Sequence, residues 1–132
     1  MITTMTTTTE IPAKSWESFC ENLKDEYRGV ISIRWIQPGG AIRMVAEDLP
    51  LHSIVFRKQN RQCSDMMIVE AGPPNERQMK HQIVEPFRLV LRKNEESGRY
   101  NELEILAETG KTEITFTPGL EAELLEKLAE KE

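Results

Sequence analysis

Residues 30–47 read VISIRWIQPGGAIRMVAE, and this stretch decides the fold. Ile31, Ile33 and Trp35 alternate with Ser32 and Arg34, so one face of a strand is apolar and the other polar. Pro38-Gly39-Gly40 gives a tight turn, after which Ile42, Met44 and Ala46 resume the alternation. Two alternating runs joined by a Pro/Gly turn specify an antiparallel hairpin.

Downstream the same period recurs in short runs. Asp48-Leu49-Pro50-Leu51 breaks the pattern, because proline lacks a ladder donor, and 53–58 is read as a separate strand. Further strands are expected at 66–70, 79–83, 87–92, 102–107 and 112–116, separated by Gly/Pro/Asn-rich turns. Turns this short imply an antiparallel meander, since parallel strands need crossovers of about a dozen residues or more. About eight such strands in a small domain should curl into a barrel or fold into a sandwich.

Helical periods flank the strands. Trp16, Phe19, Cys20, Leu23 and Tyr27 form one stripe over 13–26, with Glu17, Glu21, Lys24 and Asp25 on the other side. At the far end, Thr117-Pro118 reads as the cap and first turn of a terminal helix. Leu120, Leu124, Leu125 and Leu128 line one side of that helix, which packs either on the chain's own sheet or on a second subunit. The expected fold class is therefore α+β: a curled antiparallel meander with one N-terminal and one C-terminal helix. Residues 1–10, rich in threonine, are expected to be a disordered tail, and 11–132 a single domain.

Composition excludes several classes. The chain has 132 residues and a net charge of −5, which opposes a broad electrostatic grip on nucleic acid or anionic lipid. No apolar run approaches the roughly eighteen residues of a membrane span. Met1 to Thr9 has neither the basic region nor the apolar core of a secretory signal, so a cytoplasmic location is expected. Cys20 falls on the apolar helix stripe and Cys63 in a polar loop, which predicts a buried thiol and an exposed one rather than a disulfide.

Thr9-Glu10-Ile11-Pro12 followed by Trp16 and Phe19, and then Asp48-Leu49-Pro50-Leu51, resembles a bacterial family of small proteins of unknown function. Its shared features are an N-terminal T-x-I-P-x3-W-x2-F-like pattern and a D-L-P-L element. The resemblance covers the first 55 or so residues and implies a single domain. It brings no activity, ligand or catalytic residue.

Chemistry is sparse. Cys63 and His81 carry no nucleophile signature, and no zinc spacing joins the two histidines to the two cysteines. Neither a metal nor a cofactor is expected. Glu102 and Glu104 lie opposite Leu103 and Ile105, the arrangement of a solvent-facing strand side. Arg57, Lys58 and Arg61, in the polar turn that continues to Gln62, are the basic cluster from which a small barrel could grip single-stranded nucleic acid. The leading expectation is a non-enzymatic interaction module that forms a homodimer, with Leu120, Leu124, Leu125 and Leu128 at the interface and scope for another protein partner. Nucleic-acid binding through the basic turn is the alternative, and a small-molecule enzyme ranks third.

Overall fold

The turn at Pro38-Gly39-Gly40 closes as its sequence dictates: Gln37 N–H donates to the Ala41 carbonyl at 2.8 Å, and Gly40 takes φ +93°. It joins β2 (Val30–Ile36) to β3 (Ile42–Arg57). The computed structural model describes residues 6–58, 64–73, 75–76, 78–121 and 123. Around the hairpin lie β1 (Thr6–Ile11), a 3₁₀ turn (Ala13–Ser15), α1 (Trp16–Glu26), β4 (Met66–Ala71), β5 (Met79–Val84), β6 (Arg88–Asn94), β7 (Arg99–Ala107) and β8 (Gly110–Leu120). All eight strands belong to one antiparallel sheet in the order β1-β6-β7-β8-β2-β3-β4-β5. The molecule is mostly β, with one α-helix among the described residues.

The sheet curls but does not close: β1 and β5 are free edges among the described residues. In a flat sheet β5 would stand about 19 Å from β8, four strand spacings away. Yet His81 Nε2 on β5 lies 3.0 Å from Thr112 Oγ1 on β8. The far strands are therefore folded back over the near ones. β3 makes the corner, because its first half pairs with β2 and its second half, from Leu51, with β4.

The interior collects Ile31 and Ile33 from β2, Leu89 and Leu91 from β6, and Leu103 and Ile105 from β7. Ile54 and Met67 face them from the folded-back strands. α1 lies along β3 and contributes Phe19 and Leu23, both fully buried. Trp16 meets Phe56 edge-on at 5.3 Å and donates its indole N–H to the Ile11 carbonyl at 2.8 Å. Burying each large apolar side chain stabilises the fold by roughly 1.5–3 kcal/mol.

Three expectations need correction. Residues 6–10 are not a disordered tail, because Thr6–Ile11 pairs in unbroken register with β6. Residues 42–47 and 53–58 are not separate strands. Pro50 sits where β3 passes from one ladder to the other, and its carbonyl accepts from Gly72 N–H at 2.9 Å. A missing donor is tolerated at such a corner. Finally, Thr117 and Pro118 do not start a helix: β8 runs on to Leu120, with Thr117 paired to Val30 and the Pro118 carbonyl 2.8 Å from the Tyr27 hydroxyl. Leu120 is 2% exposed and belongs to the chain's own core, not to an interface. Leu124, Leu125 and Leu128 lie outside the described residues.

Candidate functional site

Strand register places the candidate groups in two rows on opposite faces of the sheet. The inner row runs Ile105, Thr112, Trp35, Arg43 across β7, β8, β2 and β3. The outer row runs Glu104, Glu113, Arg34, Met44 across the same strands.

The inner row ends at an open cavity of about 330 Å³ where β5 folds over the β2–β3 hairpin. Trp35, Arg43, Met44, Met79, Lys80 and His81 line it. The Trp35 indole N–H donates to the Thr109 carbonyl at 3.1 Å, which fixes the ring. Gly110, at φ +131°, packs so closely that a Cβ would collide with that indole and with the Ile36 carbonyl. The turn between β7 and β8 thus shapes the wall of the cavity. His81 lies with its ring centroid 6.1 Å from Trp35 and is held by Thr112, and burial keeps its pKa below the ordinary histidine value. The imidazole is therefore neutral at pH 7. Arg43 and Lys80 have no ion-pair or hydrogen-bond partner among the described residues, and no carboxylate lines the cavity.

The outer row gathers charge. Arg34 Nη2 lies 2.8 Å from Glu113 Oε1, Arg92 pairs with Glu104, and Lys111 Nζ is 4.0 Å from the same carboxylate. Carboxylate oxygens of Glu102, Glu104 and Glu113 fall within 4.8 Å of one another. Burial first, then a hydrogen bond to Glu113 and its negative charge, push the Glu102 pKa up to about 7. The proton from Glu102, with help from Arg34, holds Glu113 below the ordinary carboxylate range. The two carboxyls therefore share a proton between β7 and β8.

Among the described residues, these three carboxylates are the group that could converge on a metal ion. The arrangement does not fit one. Arg34 and Arg92 already occupy Glu113 and Glu104, and Lys111 adds a third cation facing the same oxygens. A divalent ion would have to displace these cations or be repelled by them. The row is a charge ladder that knits four strands. The alternation in sequence does put Glu102 and Glu104 on the outward face, but Glu104 is only 6% exposed there, because neighbouring side chains cover it.

A second cavity of about 320 Å³ lies at the end of α1, between Tyr27, Arg28, Arg99 and Leu120. Its cations are engaged: Arg28 donates to the Tyr27 carbonyl at 3.0 Å, and Arg99 to the Gly119 carbonyl at 3.2 Å. Of the basic turn, Arg57 and Lys58 are exposed at the end of β3, while Arg61, Gln62 and Cys63 lie outside the described residues. His52 is exposed on β3, away from the cavity that holds His81. Sequence reasoning missed Arg43 and Lys80 because nothing local marks them; both come to line one cavity only when β5 folds over the hairpin.

Comparison with protein-family models, curated proteins and solved structures gave no match. The functional reading therefore rests on the geometry of the chain itself.

Proposed function

We propose that this protein is a non-enzymatic interaction module that self-associates through the open arm of its curled sheet. One observation carries the reading. Residues 42–48 of β3 pair with β2 on one side and have no strand on the other among the described residues. On that arm Ile42 is 61% and Met44 52% exposed, two large apolar side chains on the same face. An unpaired strand with apolar side chains is a template for another strand, and two copies related by a two-fold axis satisfy each other's edge. Apolar contact of this kind is rarely left in water without a partner. A cytoplasmic location remains part of the proposal, in keeping with Cys20, a buried free thiol of the kind a reducing compartment holds.

Sedimentation equilibrium tests the reading. Wild type should be a dimer at tens of micromolar, and Ile42→Lys/Met44→Lys a folded monomer. Leu124→Glu/Leu128→Glu, made in parallel, tests the C-terminal leucines: loss of the dimer there but not in the arm variant would move the interface off the arm. A monomeric wild type would overturn self-association altogether.

A further inference from the structure

Backbone groups single out two residues of the open arm. The turn closes with Gln37 N–H donating to the Ala41 carbonyl, and along an antiparallel ladder hydrogen-bonded pairs alternate with non-bonded ones. Two residues into the strands, Trp35 and Arg43 are therefore a bonded pair, whereas Ile36–Ile42 and Arg34–Met44 are not. The N–H and C=O groups of Ile42 and Met44 thus point away from β2, to a side where no strand is paired among the described residues. Past the irregularity, Ala46 stands across from Ile33, which bonds in the same direction as Trp35, so its own groups turn back to β2. The edge is not packed shut. Arg43, Met44 and Val45 are consecutive and alternate between faces, yet all three line the open cavity of about 330 Å³. That cavity runs along the edge itself.

We propose, resting on the self-association reading, that two copies pair antiparallel about Arg43, and that the two Arg43 guanidiniums meeting at the axis keep the association weak. This register sets Ile42 of each copy opposite Met44 of the other. It uses the outward N–H and C=O of both residues in both copies, four hydrogen bonds in all. The neighbouring registers do not. Centring on Met44 would put Ile42 against Ala46, whose groups face β2, and centring on Ile42 would put Met44 against Gly40, in the turn at φ +93°. The two-fold axis stands normal to the sheet, so each face of one copy continues into the same face of the other. On one face Ile42 and Met44, 61% and 52% exposed, then cover each other. On the other face Arg43 meets Arg43 of the second copy. It has no ion-pair partner among the described residues to neutralise it, and like charges directly opposite across strands are destabilising.

Cross-linking of the full chain with oxidised glutathione tests the register, in a Cys63→Ser background where the remaining Cys20 is buried. Arg43→Cys places two thiols at a non-hydrogen-bonded pair, with Cα atoms about 4.5 Å apart, and should give a covalent dimer. Ile42→Cys and Met44→Cys, each alone, place them about 9 Å apart, beyond disulfide reach, and should stay uncross-linked. Sedimentation of Arg43→Gln tests the opposing charge. The substitution takes the net charge of −5 one unit lower, which by itself disfavours association. It should nonetheless tighten the dimer about threefold at low salt, an advantage that shrinks at about 0.3 M salt as the pair is screened. No covalent dimer from Arg43→Cys, a covalent dimer from Ile42→Cys or Met44→Cys alone, or no tightening by Arg43→Gln would overturn this pairing while wild type still sediments as a dimer. A monomeric wild type would overturn the pairing and the self-association together.

Discussion

Burial beside Glu113 pushes the Glu102 carboxyl up to about 7, whereas the same carboxyl group in an unfolded chain titrates near 4.5. Between those values the folded protein keeps a proton that the unfolded chain has lost. Stability from this group is therefore complete below about 4.5 and falls as pH rises toward 7. Glu113 acts oppositely and at lower pH: its pKa is depressed, so its contribution is present at neutrality and is lost in acid. Glu102→Gln keeps a donor for Glu113 but cannot ionise. Urea unfolding at about pH 5 and pH 7.5 should show wild type losing stability with rising pH from this group, and the variant showing a flatter dependence. Equal slopes in the two proteins would mean the proton is not shared. None of this was legible in the sequence. Alternation assigns Glu102 and Glu104 to the outward face, but their proximity to Glu113 depends on a strand register that no local pattern encodes.

At the scale of elements, α1 and the turn of the β2–β3 hairpin were legible, because each is fixed by contacts within a few residues, but the facing of β3 was not: an irregularity between Ile33 and Arg34 turns Ala46 inward and leaves Ile42 and Met44 exposed on the other face, where the alternation had put all three together. Trp16, Phe19, Cys20 and Leu23 all face inward as their spacing requires. Trp16→Ala would remove both the edge-on contact with Phe56 and the hydrogen bond to Ile11, and should lower stability by about 3–5 kcal/mol. Calorimetry checks this; a variant melting within a few degrees of wild type would mean the ring contributes little to the core. Elements with distant partners were read poorly. Thr6–Ile11 has ordinary strand propensity and no apolar stripe, so its order comes from β6, some eighty residues away. The 117–120 segment has the cap residues of a helix, yet pairing with β2 and the Tyr27 hydroxyl hold it in β8. Local signals lost there to tertiary contacts.

At the scale of the molecule, the count of eight strands was right through two compensating differences: β1 was missed, and β3 was read as two. The fold-back at β3 has the larger consequence. It sets His81 against Thr112, opens the cavity beside Trp35, and leaves residues 42–48 without a paired strand on one side among the described residues. The central claim is that this open arm is where the protein meets a second copy. Amide hydrogen exchange across a series of protein concentrations tests it most directly, since backbone groups on an open edge exchange freely until a partner strand covers them. The account predicts that residues 42–48 gain protection as concentration rises, while the buried strands β6 to β8 stay unchanged. Protection that is independent of concentration, or that grows elsewhere in the chain and not on this arm, would contradict it.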